Sequence, residues 1–150
     1  MDISRNKIQE MAVQVITAAL ISRENDIVFD VMENISDVTG LPYEDSPLYL
    51  KELVINSLKN ERLIEEDLSK YLKNWKFSRL NFCIQAILIV AVTNFKYVEE
   101  RVDKAVVINV AVELAKKYGD DKDYKFVNAI LDNALKNEWF FNRNSNKFDN

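Results

Sequence analysis

The sequence predicts an all-α protein, a compact bundle of six or seven helices in two helical subdomains. Three observations carry this. The 150 residues hold only two glycines and two prolines, the residues on which sheet proteins rely for turns. Apolar residues recur three and four apart along most of the chain, the spacing of one helix face. The run FCIQAILIVAV, Phe82 to Val92, is apolar almost all round, as a helix at the centre of a bundle should be.

The elements follow in order. Ser4 to Ile21 reads as the first helix, with Ser4 placed to cap its free amides. Ile8, Met11, Ala12, Val15, Ile16, Ala19 and Leu20 face inward, while Asn6, Lys7, Glu10, Gln14 and Thr17 fall on the polar side. A weaker acidic helix covers roughly residues 27–38, and Gly40 and Pro42 then break the chain. Pro47 lies near the start of a helix to about Leu58. Another covers Glu61 to Leu72 and ends in the basic, aromatic YLKNWKFSR. Ser78 is a candidate cap for the central helix, which runs to about Phe95. Asp103 to Tyr118 presents a broad stripe of Ala105, Val106, Ile108, Val110, Val112, Leu114 and Ala115. Gly119 is expected to stop it in the left-handed conformation. The last helix spans about Asp123 to Trp139, with Phe126, Val127, Ile130, Leu131, Ala134 and Leu135 inward. Residues 1–140 are expected to form the domain, possible subdomains meeting near residues 40–47, and residues 141–150 a polar, flexible tail.

Composition narrows the function classes. At 48% hydrophobic and 29% charged residues the chain should fold rather than stay disordered. The N-terminus turns polar before an apolar run forms, so no signal peptide is expected. An eleven-residue apolar run does not span a bilayer, so no membrane association is expected. The one cysteine, Cys83, lies inside that run; it points to a reducing, cytoplasmic home and a buried structural thiol. There is no histidine. That leaves no credible zinc site and excludes cysteine–histidine and serine–histidine catalysis. No phosphate-cradling glycine loop is present. Neither enzymatic activity nor a cofactor is expected.

Net charge is -4, yet it is unevenly spread. Glu24 to Pro47 carries seven acidic residues and no basic one, and Leu68 to Val98 carries no acid at all. The fold should therefore show one acidic and one mildly basic face.

The densest polar stretch is AKKYGDDKDYKFVNAIL, Ala115 to Leu131. Its aspartates lack the twelve-residue spacing of a calcium loop. An aspartate at 121 or 123 is instead expected to cap the last helix, beside amides that attract anions. Lys122 and Lys125, flanked by Tyr118, Tyr124 and Phe126, are suited to meeting a phosphate and a base of a single strand. Phe126 also aligns with the inward stripe, so a core role stands beside that one.

The segment VVINVAVELAKKYGDDKDYKFVNAILD, Val106 to Asp132, resembles the NusB family of bacterial transcription antitermination factors. That family carries an I-N-E-A-x-E-L-A-K-x-[FY]-G block followed by K-F-V-N-G-[VI]-L. QAILIVAV, Gln85 to Val92, is similar to its central R-A-I-L-R-L-A helix, and RNKIQEMAVQVI, Arg5 to Ile16, to its opening. The resemblance implies an all-helical fold in two subdomains. It implies binding of single-stranded boxA RNA together with the NusE ribosomal protein, within the RNA polymerase antitermination complex. Carried over residue by residue, it places Arg5, Lys7, Tyr118, Lys122 and Phe126 toward RNA, with Lys125 beside them. Asn109, Gly119 and Asn128 match motif positions with a structural role, the asparagines tying helix ends or turns. The chain departs from the pattern at Asn6 and Gln9, which stand where the family repeats arginine. Thr17, Ile89, Val110 and Ala129 also depart. Fewer cations near a phosphate backbone imply weaker, less salt-dependent binding. The alternative reading is a helical protein–protein module of the same fold that has lost RNA binding. A piece of a larger RNA-modifying enzyme is the third.

Overall fold

The computed structural model describes residues 2–136, so the expected tail and Trp139 lie outside the described residues. Among these residues there are seven α-helices and no strand. They are α1 (Arg5–Glu24), α2 (Val31–Thr39), α3 (Leu48–Lys59), α4 (Glu61–Ser69), α5 (Phe82–Lys96), α6 (Lys104–Tyr118) and α7 (Asp121–Ala134). Short 3-10 turns at Tyr43–Asp45 and Phe77–Arg79 shape two of the connections.

α5 is the axis of the molecule. Every residue from Ile84 to Phe95 is buried. It packs against α1, α3, α4, α6 and α7, while α6 and α7 also pack extensively against each other. A helix surrounded this way must be apolar all round, and the composition of Phe82 to Val92 meets that demand. The seven inward residues expected of α1 are all buried. The helices before and after residue 47 share one contiguous core, which includes Ile16, Leu53, Ile87 and Leu131.

Buried polar groups on α5 are paired, as burial requires. The Ser57 hydroxyl donates to Thr93 Oγ1 at 2.9 Å, and Thr93 donates to the Ile89 carbonyl. Asn94 Nδ2 donates to Gln9 Oε1 at 3.1 Å, and the Tyr49 hydroxyl donates to Asn94 Oδ1.

Several local expectations need correction. α2 begins at Val31, not near residue 27, because Asp26 adopts a positive φ of 58° and Asp30 caps the helix by accepting the Glu33 N–H. α4 ends at Ser69, short of Leu72. The cap of α5 is Asn81, which accepts the Ile84 N–H at 2.9 Å; Ser78 is taken up in the preceding 3-10 turn. On α6 the buried positions are Val107, Ile108, Ala111, Leu114 and Ala115. Ala105 is exposed and Val106 is 47% exposed, because they point away from both α5 and α7.

Gly119 is extended (φ −122°, ψ −161°), not left-handed; Gly40, after α2, holds the left-handed conformation at φ 71°. Gly119 is needed for a different reason. A Cβ there would lie 2.9 Å from the Ala115 carbonyl oxygen and would collide with the Asp123 carboxylate. The turn is closed by close approach rather than by backbone handedness.

Candidate nucleic-acid interface

The first turns of α1 and the last turn of α6 meet at one carboxylate. Glu10 was expected on the polar side of α1, but it is only 7% exposed. Lys7 Nζ donates to its Oε1 at 3.1 Å. Lys117 Nζ and the Tyr118 hydroxyl both donate to its Oε2, each at 2.6 Å. A buried charge is tolerated only when paired and hydrogen-bonded, and here three donors serve it. The Lys117 bond, then the Tyr118 bond, hold the Glu10 carboxyl down to a pKa of about 2 against the opposing cost of burial. Burial and the bond to Glu10 push the Tyr118 phenol up, and the Lys117 ammonium is also raised by Glu10.

Tyr118 is fixed from a second side. Gln14 Nε2 donates to its hydroxyl oxygen at 3.1 Å. The phenol is therefore both donor and acceptor, and its ring orientation is set. Yet the residue remains 39% exposed, with Lys117 Nζ 5.5 Å from the ring centre. A rigid, half-open aromatic beside a cation is a suitable stacking surface. Asn6, Lys7, Glu10, Asn109, Glu113 and Lys117 border an open groove of about 440 Å³ between α1 and α6.

The α6–α7 turn follows directly. Asp120 caps α7, in place of the expected Asp121 or Asp123, accepting the N–H groups of Lys122 at 2.9 Å and Asp123 at 3.2 Å. Asp123 Oδ2 returns the contact by accepting the Asp120 N–H at 2.8 Å, completing a capping box. The amides expected to attract an outside anion are thus already engaged by a carboxylate. What the turn offers instead is side chains. Lys122 and Lys125 are exposed, and Tyr124 lies between Lys116 (5.1 Å) and Lys125 (6.0 Å).

The structure brings Lys7 and Tyr118 together through Glu10, and sets Lys122 and Lys125 at the start of the adjoining α7. Arg5 is elsewhere engaged: its guanidinium sits 4.3 Å above the Tyr49 ring and 3.3 Å from Glu100 Oε2. Phe126 is half-buried against the core, in line with its inward register. Asn109 and Asn128 are exposed, and neither side chain makes a hydrogen bond among the described residues. Among the described residues the ties expected of them are absent, because the neighbouring buried residues of α6 and α7 turn these positions outward. The residues that sequence reasoning missed are Glu10, Gln14 and Lys117. Lys7, Glu10 and Gln14 share a face at spacings of three and four, but nothing in α1 alone shows that α6 will cover it.

Such an edge of lysines and aromatic rings on a helical bundle has the residue types of a binding surface. Comparison with known proteins is more specific. Residues 6–136 match the NusB family, and the chain belongs to that family. Transcription antitermination protein NusB of Ligilactobacillus salivarius (strain UCC118) is 40% identical over 137 residues, covering 90% of this chain and all of that one. The protein of the same name from Bacillus thuringiensis (strain Al Hakam) is 38% identical over 90 residues, 60% of this chain and 68% of that one. Among solved structures, T. maritima NusB superposes with a TM-score of 0.76 at 25% identity, covering 91% of this chain and 94% of that one. A structure of antitermination factors NusB and NusE in complex with dsRNA gives a TM-score of 0.71 at 23% identity, with 87% and 94% covered, and shares the fold.

Proposed function

We propose that this protein is a transcription antitermination factor that binds single-stranded boxA-type RNA together with the NusE ribosomal protein. It acts in the cytoplasm as an adaptor within the RNA polymerase antitermination complex. The observation that carries the reading is the Glu10 cluster, which holds Tyr118 half-exposed and fixed, next to Lys7 and Lys117. Tyr118 supplies a stacking face for a base. Lys7, Lys122 and Lys125 supply charge to phosphates, and Arg5 joins them once drawn from Glu100. Phe126 backs the surface from the core side. The name of its relatives, and the NusE and dsRNA present in a structural neighbour, support antitermination with NusE and an RNA partner, while the preference for a single strand rests on the exposed ring of Tyr118.

One observation favours the protein–protein alternative. Lys7 and Lys117 are paired to Glu10, Arg5 to Glu100, and the α7 amides to Asp120, so much of the positive field is answered within the chain. The discriminating experiment titrates the protein with a boxA strand, a scrambled strand and a boxA duplex, each with and without NusE. Preferential binding of the boxA strand, strengthened by NusE, is the expected result. Binding of NusE without any RNA affinity would select the alternative.

A further inference from the structure

The connection between α4 and α5 holds a feature that the Glu10 surface does not use. Trp75 is 61% exposed. It stands between half-buried Tyr71 and Leu72 on one side and buried Phe77 on the other, so both ends of the loop are anchored while its centre is presented. Lys73, Asn74, Trp75, Lys76 and Arg79 line an open cleft of about 460 Å³. No acidic residue occurs from Leu68 to Val98. Among the described residues, Lys73, Lys76 and Arg79 form no ion pair, whereas Arg5, Lys7, Lys96, Lys104, Lys116 and Lys117 each do.

Its position follows from its two ends. The Tyr71 ring lies 5.5 Å from Lys136 Nζ, just beyond the C-terminus of α7. α4 and α5 both pack against α7, and burial and, more weakly, the charge of Asp123 in its first turn push up the thiol of Cys83, in the first turn of α5. The connection therefore starts beside the C-terminal end of α7 and joins two helices that both pack on α7. The N-terminal part of α7 carries Lys122 and Lys125. Cations with no ion pair among the described residues, interleaved with an exposed aromatic, suit a nucleic-acid strand: each base has a face to stack, and each phosphate needs a cation.

We infer that Trp75, with Lys73, Lys76 and Arg79, forms a second contact for a single-stranded RNA, extending the path from the Tyr118 surface along α7. This rests on the RNA reading above and adds to it a longer footprint. Trp75 stacks on a base outside the segment held at Tyr118, and the three cations hold phosphates without reading sequence.

The test uses strands of about 6 and about 14 nucleotides, lengths within the range that single-strand sites cover. Both contain boxA, and NusE is present. In a Trp139→Phe background Trp75 is the remaining tryptophan of the two in the chain. The longer strand should change its fluorescence and the shorter one should not. Trp75→Ala should lower affinity for the longer strand at least about fivefold, the weak end of one lost stacking contact. It should leave the shorter strand and the melting temperature unchanged. Lys73→Gln with Lys76→Gln should reduce the salt slope for the longer strand alone, by about 1.4. Equal affinities of wild type and Trp75→Ala for both strands, with no fluorescence change, would overturn the inference while leaving the Tyr118 site standing. A Trp75→Ala variant that loses NusE but keeps its intrinsic RNA affinity would assign the loop to a protein partner and overturn it as well. Failure of wild type to bind either strand would remove the RNA reading itself.

Discussion

Lys117 Nζ lies 2.6 Å from Glu10 Oε2, across 107 positions of sequence, on the same oxygen that accepts the Tyr118 hydroxyl. This contact ties the start of α1 to the end of α6. It makes the placement of the Tyr118 ring a product of tertiary structure rather than of one helix. Glu10→Gln keeps the shape and removes the charge. Charge-assisted bonds are worth about 1.5–3 kcal/mol each at most, and the lysines here are solvent-screened. We expect a loss of about 1–2 kcal/mol, read by urea or thermal unfolding, with an RNA affinity that falls in parallel. Unchanged stability would show that the cluster is incidental.

The same carboxyl sets an acid limit. Its folded pKa, about 2, is depressed from an ordinary value of 4.5. The unfolded chain therefore takes up this proton first as pH falls. The stabilisation is complete above about pH 4.5 and is lost progressively between there and pH 2. Wild type should lose stability across that window more steeply than Glu10→Gln. Parallel curves for the two proteins would contradict the assignment.

Gly119→Ala should destabilise although the residue is not left-handed. An added Cβ meets the Asp123 carboxylate and the Ala115 carbonyl, so the capping box must open or the turn must shift. A cost of about 1–3 kcal/mol is expected, typical of an overpacked site. Gly119→Ala combined with Asp123→Ala relieves the side-chain clash but forfeits the cap. It should recover only part of the loss in a double-mutant cycle. A fully neutral Gly119→Ala would show that the turn yields freely.

Cys83 should be a slow thiol. It is half-buried rather than enclosed, but burial pushes its pKa up, which keeps the reactive thiolate scarce. Labelling by a maleimide at neutral pH should be much slower than in denaturant. Native labelling at the denatured rate would mean that the N-terminus of α5 opens readily.

Lys122 and Lys125 are exposed beside three aspartates, two of which are bound up in the α7 cap. The double change Lys122→Gln with Lys125→Gln should lower affinity for boxA and scrambled strands by similar factors. The slope of log affinity against log salt should fall by somewhat under 2. A loss confined to boxA would mean that these lysines read bases.

What the sequence reveals depends on whether the signal is local. α5 is legible because a helix buried on all sides must be apolar on all sides. The inward face of α1 is legible for the same reason at helical spacing. Gly119 marks the end of α6, but its conformation is set by the approach of Asp123, which no spacing rule contains. Three aspartates in four positions make the cap of α7 ambiguous until backbone geometry selects Asp120. Glu10 sits at a polar register of α1, so its burial is decided by where α6 ends. Asn109 and Asn128 show the converse: their motif positions suggest ties, yet both face outward.

The most direct test of the account compares Tyr118→Ala, Tyr118→Phe and wild type for binding of a single-stranded boxA RNA in the presence of NusE. Tyr118→Phe keeps the ring and loses the bond to Glu10, so affinity should fall only modestly. Tyr118→Ala should lose a stacking contact worth about 1–3 kcal/mol while the protein stays folded. Equal affinity for Tyr118→Ala and wild type would contradict the placement of RNA at this surface.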